Sequence, residues 1–489
     1  MSAILNGSGF LRAVFHTPVT LALPQWLFAP VYRRYFILLP GFLVAALAAA
    51  QDSSGSATPT AASSEPEERW NLFYQATSIG NEHGSFPAVY SGPLSLSNSP
   101  EHDVSLTSTL FLGFRLAKNT RFYVDPEIAG GRGFSGVDGL ANPNNGELPR
   151  VASATPKPYI ARAYFAQDFG FGDSSETVMS GTNQLGGTRP MTRYSIYAGR
   201  FSITDFFDNN RYSHDPRSQF MGWAIMYNGA WDYPADTRGY TWGWVHEFHT
   251  RRWSLRYGSA AEPRVANGSR FDRRLLRDRG DMLEGEIDWT AHDHPGAVRL
   301  LASFQHSDSG SYAEALRVAA QTGDTPSVAA VHRPGTLKYG TGINVEQELT
   351  RDVGVFGRFG WNDGKTESFA FTAIDRLYQG GVSITGRRWH RDGDTVATAI
   401  TGSGISGVHR AYLAARGLDF LIGDGRLDHY GPELVWESYY NAHVIPGVFI
   451  GVDAQRVANP AYNQDRGPVW IGSLRVHIEF GKDSFARKP

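Results

Sequence analysis

The last stretch of the chain, residues 434–480, constrains the fold most because apolar and polar residues alternate along it. In its final segment every second residue is apolar, at Leu474, Val476, Ile478 and Phe480. Neighbouring side chains of a β-strand point to opposite faces, so this period of two predicts three strands that each have one apolar face. The turn at 445–447 is short, and the one at 458–468 is long and polar. Such strands and turns are typical of an outer-membrane β-barrel.

The same alternation recurs from Trp70 onward and predicts sixteen strands in total. Between the strand that starts at Trp70 and the three at the end, they are 104–116, 121–128, 159–169, 194–203, 240–248, 253–258, 281–289, 298–306, 337–349, 353–361, 378–387 and 395–401. Their connections alternate in length, being short at 249–252, 291–296 and 350–352 and long at 259–280, 307–336 and 362–377. A barrel inserted from the periplasm sorts its loops in this way, whereas a soluble β-sandwich, the competing fold, has no reason to.

The polar faces of the predicted strands carry many charged residues. Glu284, Glu286 and Asp288 follow one another on one strand, and the stretch 344–348 repeats the pattern. In a sandwich core, unpaired charges would each cost several kcal/mol, but they cost little when they face a water-filled lumen. The sequence therefore predicts an all-β fold, a transmembrane antiparallel β-barrel of about 16 strands.

Three stretches between the strands have helical spacing, and one connection does not fit. Apolar residues at 220–227 recur every three or four positions, which predicts a helical turn inside a long loop. The stretches 312–321 and 409–416 predict two more short helices in extracellular loops. The connection 170–193 is too long for the periplasmic side, where this order of strands places it.

The two ends of the chain lie outside the predicted barrel, which spans 69–480. Arg33 and Arg34 precede an apolar run that ends in three alanines before Gln51, so residues 1–50 have the pattern of a secretory signal peptide. Residues 1–30 exceed a usual leader, and we interpret the translation start as lying downstream of Met1. Residues 51–68 form a flexible linker that lacks large apolar side chains, and 481–489 form a C-terminal extension.

The motifs that could indicate a cofactor have simpler interpretations. The run 402–407 (GSGISG) matches a dinucleotide fingerprint, but without a βαβ unit it is better explained as a loop. His292-Asp293-His294 lies in a predicted tight turn and is interpreted as polar turn residues, not as a metal site. With no cysteine, the chain has no thiol nucleophile. We expect no cofactor, no metal and, at a net charge of -2, no nucleic-acid partner.

Four stretches of the sequence resemble the carbohydrate-selective porins of the OprB family. They are 123–127 (YVDPE), 199–207 (GRFSITDFF), 359–364 (FGWNDG) and 433–440 with the later Asn459-Pro460. The resemblance runs from about Trp70 to Phe480 and implies a sixteen-stranded barrel through which monosaccharides diffuse. The chain departs from the family pattern in extending past Phe480 and in the segment 204–238.

Charged and aromatic residues on the polar strand faces are the candidates for contact with sugars. A sugar offers hydroxyls to charged groups and an apolar face to aromatic rings. The predicted pore-lining residues are Tyr123, Asp125, Glu127, Arg162, Tyr164, Arg358, Trp361 and Glu437. The alternative interpretation of the charged ones is that they pair with each other and brace the barrel wall.

We therefore predict an outer-membrane porin of a Gram-negative-type bacterium that admits small carbohydrates, and no enzyme. Its expected partners are small sugars and outer-membrane lipid, and it is either a homotrimer or a monomer. The alternatives are a general or organic-acid porin and, from other classes, an outer-membrane hydrolase or a structural barrel with a plugged lumen.

Cleavage of the predicted signal peptide can be tested directly. Because the charged flank, apolar run and alanine-rich exit end at Ala50, the mature protein is expected to begin near Gln51. Intact-mass measurement of the protein from outer membranes checks this. A mass that still includes Met1 would show that the segment is retained.

Overall fold

The described part of the chain is one closed antiparallel β-barrel of sixteen strands. The computed structural model describes residues 67–148 and 154–481, so the predicted signal peptide, most of the predicted linker and all but Gly481 of the predicted extension lie outside the described residues. Each strand pairs with its neighbours in sequence, and β1 pairs with β16 to close the barrel. Within the described ranges no helix combines the length and apolarity that a membrane crossing requires.

The predicted fold class is confirmed, and most strand boundaries lie close to the predicted ones. The strands are β1 Trp70–His83, β2 Glu101–Ala117, β3 Thr120–Gly131, β4 Lys157–Val178, β5 Gly187–Phe201, β6 Thr241–His249, β7 Trp253–Ala261, β8 Arg279–Ala291, β9 His294–Gly310, β10 His332–Thr350, β11 Val353–Asn362, β12 Arg376–Thr385, β13 Thr395–Gly404, β14 Glu433–Ile445, β15 Val448–Ala458 and β16 Val469–Gly481. The three predicted helices also form, as α1 Trp223–Met226, α2 Tyr312–Thr322 and α3 Gly407–Ala414.

The connections separate by length between the two ends of the barrel. At one end, here the short-turn end, every connection has nine residues or fewer, and at the other, the long-loop end, every connection has ten or more. The connection 170–193 obeys this rule after all, because β4 continues to Val178 and β5 begins at Gly187. The apparent long loop is mostly strand, and only the turn 179–186 remains.

The two faces of the wall differ as the alternation predicts. Large apolar side chains are exposed on the outside along most strands, for example Leu283, Leu300, Ile400 and Val452. Charged side chains such as Glu284 and Arg475 are buried on the inside. An apolar exterior over a polar interior is the arrangement that a membrane-spanning barrel requires.

The connection 202–240 is the longest and fills much of the lumen. Its side chains join the largest apolar cluster, in which Trp223 of α1 stacks on Phe371 from the connection 363–375 with ring centroids 4.6 Å apart. We call 202–240 the inserted loop. Because it is buried within the wall instead of standing out in solvent, its backbone polar groups must find hydrogen-bond partners in the loop itself or on the barrel.

The long-loop end is held by a buried ionic contact between two connections, against which a ring from a third connection stacks. His409 of α3 lies 3.1 Å from Asp375 and 3.1 Å from Asp419, and its ring stacks on Tyr312 of α2 at 4.2 Å. Burial by itself lowers the pKa of His409, but the two carboxylates outweigh it and raise the pKa to about 9. The stretch 402–407 leads into this contact: 402–404 end β13, Ile405 and Ser406 connect, and Gly407 begins α3, so only its middle is the predicted loop.

The orientation of the barrel can be tested with single cysteines, since the native chain has none. Leu276→Cys and Asp324→Cys, in the long connections 262–278 and 311–331, are expected to react with a membrane-impermeant thiol reagent on intact cells. Pro446→Cys, in the turn between β14 and β15, is expected to react only after the cells are opened. Labelling in the reverse pattern would mean that the barrel is inserted upside down.

Candidate functional site

A cavity of about 510 Å³ lies between the inserted loop and the inner wall of β1 to β7. Five arginines line it, and six aromatic rings and several amide side chains lie among them. The arginines are Arg121, Arg162, Arg189, Arg217 and Arg256, and the rings belong to Phe111, Tyr123, Tyr164, Tyr197, Phe206 and Tyr227. The volume lies within the range of small-molecule sites.

Each arginine of the cavity is paired with at least one carboxylate. The shortest pairs are Arg121–Asp168 at 2.6 Å, Arg162–Asp205 at 2.6 Å, Arg189–Asp168 at 3.0 Å, Arg217–Glu147 at 3.1 Å and Arg256–Glu247 at 2.5 Å. A guanidinium has five N–H donors in a fixed plane, so one that binds a carboxylate retains donors for a solute. The cavity therefore offers donors and acceptors while its charges largely cancel.

The aromatic rings form a connected group along one side of the cavity. The rings of Tyr123 and Tyr164 are 5.3 Å apart, and those of Tyr197 and Phe206 are 4.7 Å apart. Phe206 also meets Tyr164 edge to face at 6.2 Å. Ring faces beside paired charges can contact a solute that is both hydroxylated and partly apolar.

Three of the eight predicted residues line this cavity: Tyr123, Arg162 and Tyr164. Two more lie directly behind it. Asp125 accepts from Arg162 at 3.3 Å, and Glu127 accepts from Arg217 at 3.3 Å and from Thr109 at 2.5 Å. These two carboxylates are buried and orient the arginines.

Arg358 and Glu437, also predicted to line the pore, hold the inserted loop instead. Arg358 donates to the carbonyls of Ser213 and Ile225 at 2.7 and 2.9 Å. Glu437 accepts from the backbone amides of Met221 and Gly222 at 2.5 and 2.9 Å. Neither lies on the cavity, so the bracing interpretation describes them better than contact with a solute.

Trp361 lies on the opposite face of β11 from Arg358. Its ring is 5.2 Å from the guanidinium carbon of Arg376 and 5.7 Å from the ring of Tyr339, which is exposed on the barrel exterior. The structure therefore corrects the assignment of Trp361 to the pore, because it lies three positions along the strand from the inward-facing Arg358, and an odd offset points a side chain to the other face.

Further charges of the inner wall also bind the inserted loop. Glu284 accepts from the amide of Asp208 at 2.8 Å, and Glu346 accepts from the amide of Arg211 at 2.6 Å. The prediction that these carboxylates face an open lumen was therefore wrong for the part of the wall that the inserted loop covers.

Several cavity residues were missed because they lie in segments that the sequence did not place. Arg189 belongs to a stretch that was predicted as loop, and Arg217 and Tyr227 belong to the inserted loop. The motif 199–207 (GRFSITDFF) includes Asp205 and Phe206, and its resemblance to the family was the one feature of the sequence that pointed to this part of the cavity. Among the described residues no group of three or more acidic or histidine side chains is placed to hold a metal ion.

The anchoring of the inserted loop can be tested with Arg358→Ala. Removing this guanidinium leaves Asp208, 3.2 Å away and buried, without its counter-charge. The free energy of unfolding is expected to fall by about 3–5 kcal/mol, and the ion conductance is expected to rise as the loop loosens. Unfolding in denaturant and planar-bilayer recording measure the two effects.

A matched control is Arg387→Ala, which removes an exposed arginine 3.4 Å from Asp352 at the short-turn end. An exposed ion pair contributes about 0–1 kcal/mol to stability. The free energy of unfolding and the ion conductance of Arg387→Ala should therefore stay close to those of the native protein. Equal conductance in Arg358→Ala and the native protein would show that Arg358 does not hold the loop in place.

Comparison with solved structures supports the fold. The structure is similar to the high-pH structure of Pseudomonas putida OprB, with a TM-score of 0.63 and 14% identity over 85% of this chain and 94% of that one. It also aligns with Pseudomonas aeruginosa OccK2 (OpdF) in complex with glucuronate, at a TM-score of 0.41 and 10% identity over 84% and 98% of the two chains. The TM-score of that second alignment is too low to support an argument.

Sequence comparison establishes the family. No curated protein matches the chain. The family described as "Carbohydrate-selective porin, OprB family" matches residues 94–480, which is most of the chain and most of the barrel. The match, the closed sixteen-stranded barrel and the polar cavity agree with one another. The chain therefore belongs to the carbohydrate-selective porin OprB family, and it is an outer-membrane sugar porin.

Proposed function

We propose that neutral monosaccharides diffuse through the cavity between the inserted loop and β1 to β7, from the extracellular long-loop end to the periplasmic short-turn end. The observation that carries the proposal is the combination of five paired arginines with a group of aromatic rings in one cavity of about 510 Å³. Hydroxyl groups can both donate and accept, and a pyranose ring has an apolar face. The lining complements both properties.

The pairing of the arginines favours neutral sugars over organic acids. An anion would need a guanidinium free of a carboxylate, and at Arg162 and Arg217 two carboxylates already lie within 3.3 Å or less. A third carboxylate, from a solute, would be repelled by those acids. Neutral hydroxyls can use the remaining N–H groups without this repulsion.

Weak binding is what transport requires. A solute held by many strong contacts would leave slowly and block the channel, whereas a few hydrogen bonds and one ring contact permit both entry and release. The lining residues already bind each other, so a sugar gains only the donors and acceptors that remain. This supports passage by diffusion rather than tight capture.

We also propose that the barrel is a channel and not a hydrolase. His409 is a buried histidine with an acid beside each ring nitrogen, at 3.1 Å from Asp375 and 3.1 Å from Asp419. The hydroxyl of Ser406 donates to the carbonyl of Gly364 at 2.6 Å instead of to this ring. A hydrolytic triad requires the serine hydroxyl to bond to the histidine.

Planar-bilayer recording with a matched pair of solutes tests the proposed selectivity. A neutral hexose is expected to reduce the ion current at lower concentration than the corresponding uronic acid, which differs by one carboxylate. Tyr197→Ala removes a half-buried cavity ring that packs on Phe206. It should raise the hexose concentration for half block about fivefold, as expected for loss of one ring contact.

The control is Tyr378→Ala, which removes a tyrosine that is 63% exposed on the outer face of β12. It is expected to leave sugar block unchanged. Stronger block by the uronic acid would indicate an organic-acid porin. Equal block in Tyr197→Ala and the native protein would place the sugar path outside this cavity.

A further inference from the structure

The hairpin formed by β4 and β5 extends beyond the barrel wall at the periplasmic end. β3 pairs with β4 only up to Gln167, and β6 pairs with β5 only from Arg193, so beyond these residues the two strands pair only with each other. The register shifts along this extension near Gly172, whose φ is 73°. The turn 179–186, here the hairpin tip, lies at its end.

The hairpin tip is docked back onto the wall two and three strands away. Asn71 of β1 is buried and donates through Nδ2 to the carbonyls of Gly181 and Gln184, at 3.2 and 2.7 Å. Arg115 of β2 donates to the carbonyl of Gly186 at 3.0 Å. These bonds hold the tip across the periplasmic ends of β1 to β3.

The docked tip forms part of the cavity lining. Four of its residues face the cavity: Thr182, Asn183, Gln184 and Leu185. Asn183 donates through Nδ2 to Asp125 at 2.8 Å, and the amide of Leu185 donates to the hydroxyl of Tyr123 at 3.3 Å. The tip therefore lines the periplasmic part of the same cavity that the inserted loop also lines.

Three buried polar atoms in the wall of this cavity have no hydrogen-bond partner among the residues that the structure describes. They are Oδ1 of Asn183, Oδ1 of Asp125 and Nε of Arg121. Buried polar groups are almost always satisfied, and leaving one without a partner is unfavourable. Two acceptors and one donor are a set that sugar hydroxyls can satisfy, since each hydroxyl both donates and accepts.

We propose that the hairpin tip forms a periplasmic subsite for sugar hydroxyls, centred on the carboxamide of Asn183. The inference rests on the proposed function, because it takes the cavity to be the sugar path. The tip adds recognition at the exit of the cavity, beside Arg162, the arginine that also binds the inserted loop through Asp205. Asn183 has a φ of 54°, a backbone conformation that asparagine and glycine adopt readily.

Two variants test the subsite by block of ion current with a neutral hexose. Asn183→Gly keeps the backbone conformation and removes the carboxamide, and Gln184→Ala removes the neighbouring amide while its carbonyl stays bound to Asn71. Asn183→Gly is expected to raise the half-blocking concentration about fivefold, the factor that corresponds to one ordinary hydrogen bond. Gln184→Ala is expected to change it in the same direction.

Two further variants separate recognition from docking. Ser174→Gly alters an exposed residue of the hairpin that does not line the cavity and should leave block unchanged. Asn71→Ala releases the hairpin tip and should raise the ion conductance without sugar. If Asn183→Gly raises this conductance as much as Asn71→Ala does, it has undocked the tip. The half-blocking hexose concentration of Gln184→Ala then shows whether the tip binds sugar.

The outcomes distinguish the subsite from the function on which it rests. If hexose blocks the native channel and Tyr197→Ala weakens the block, but Asn183→Gly and Gln184→Ala both behave as the native protein, the hairpin tip is not a subsite. If hexose does not block the native channel at all, the proposed path itself is wrong. Weakened block in both tip variants, with Ser174→Gly unchanged, establishes the subsite.

Discussion

Closure of the barrel is the constraint on which the other features depend. In a hydrocarbon environment each backbone amide and carbonyl needs a partner, which only a sheet without edges can give to extended strands. The pairing of β1 with β16 removes the last two edges of the sheet, over eleven residue pairs from Phe73–Gly481 to His83–Ile471. Once the ring is closed, alternation sends one side chain outward to lipid and the next inward. The polar interior is thus a consequence of closing the wall.

The inward charges are satisfied mainly by backbone and by each other. On the covered part of the wall, Glu284, Glu346 and Glu437 accept from main-chain amides of the inserted loop. Around the open cavity, arginines such as Arg162 and Arg256 pair with carboxylates instead. The same kind of residue has two roles, and which one it performs depends on whether the loop or the cavity lies opposite.

The wall could be predicted from the sequence because its pattern is local and repeats every two residues. All sixteen strands and the inward direction of Tyr123 and Arg162 follow from that periodicity, and the three helices follow from the separate helical spacing. The path of the inserted loop could not be predicted, since it is set by contacts between residues more than a hundred positions apart, such as Asp208 with Arg358. For that reason the inward position of Arg358 could be predicted from the sequence, but its partner Asp208 could not. The hairpin was obscured by Gly172 and Pro190, which interrupt its strand pattern.

The way in which the inserted loop is held leaves its sequence free to diverge. Glu437 and Glu346 bind backbone amides, and Arg358 binds the carbonyls of Ser213 and Ile225, so these contacts do not depend on the loop's side chains, whereas the pair of Arg358 with Asp208 does. Replacing a loop side chain that faces the cavity would leave those anchors in place. A channel built in this way can acquire a different solute preference through substitutions in a short segment, with the scaffold unchanged.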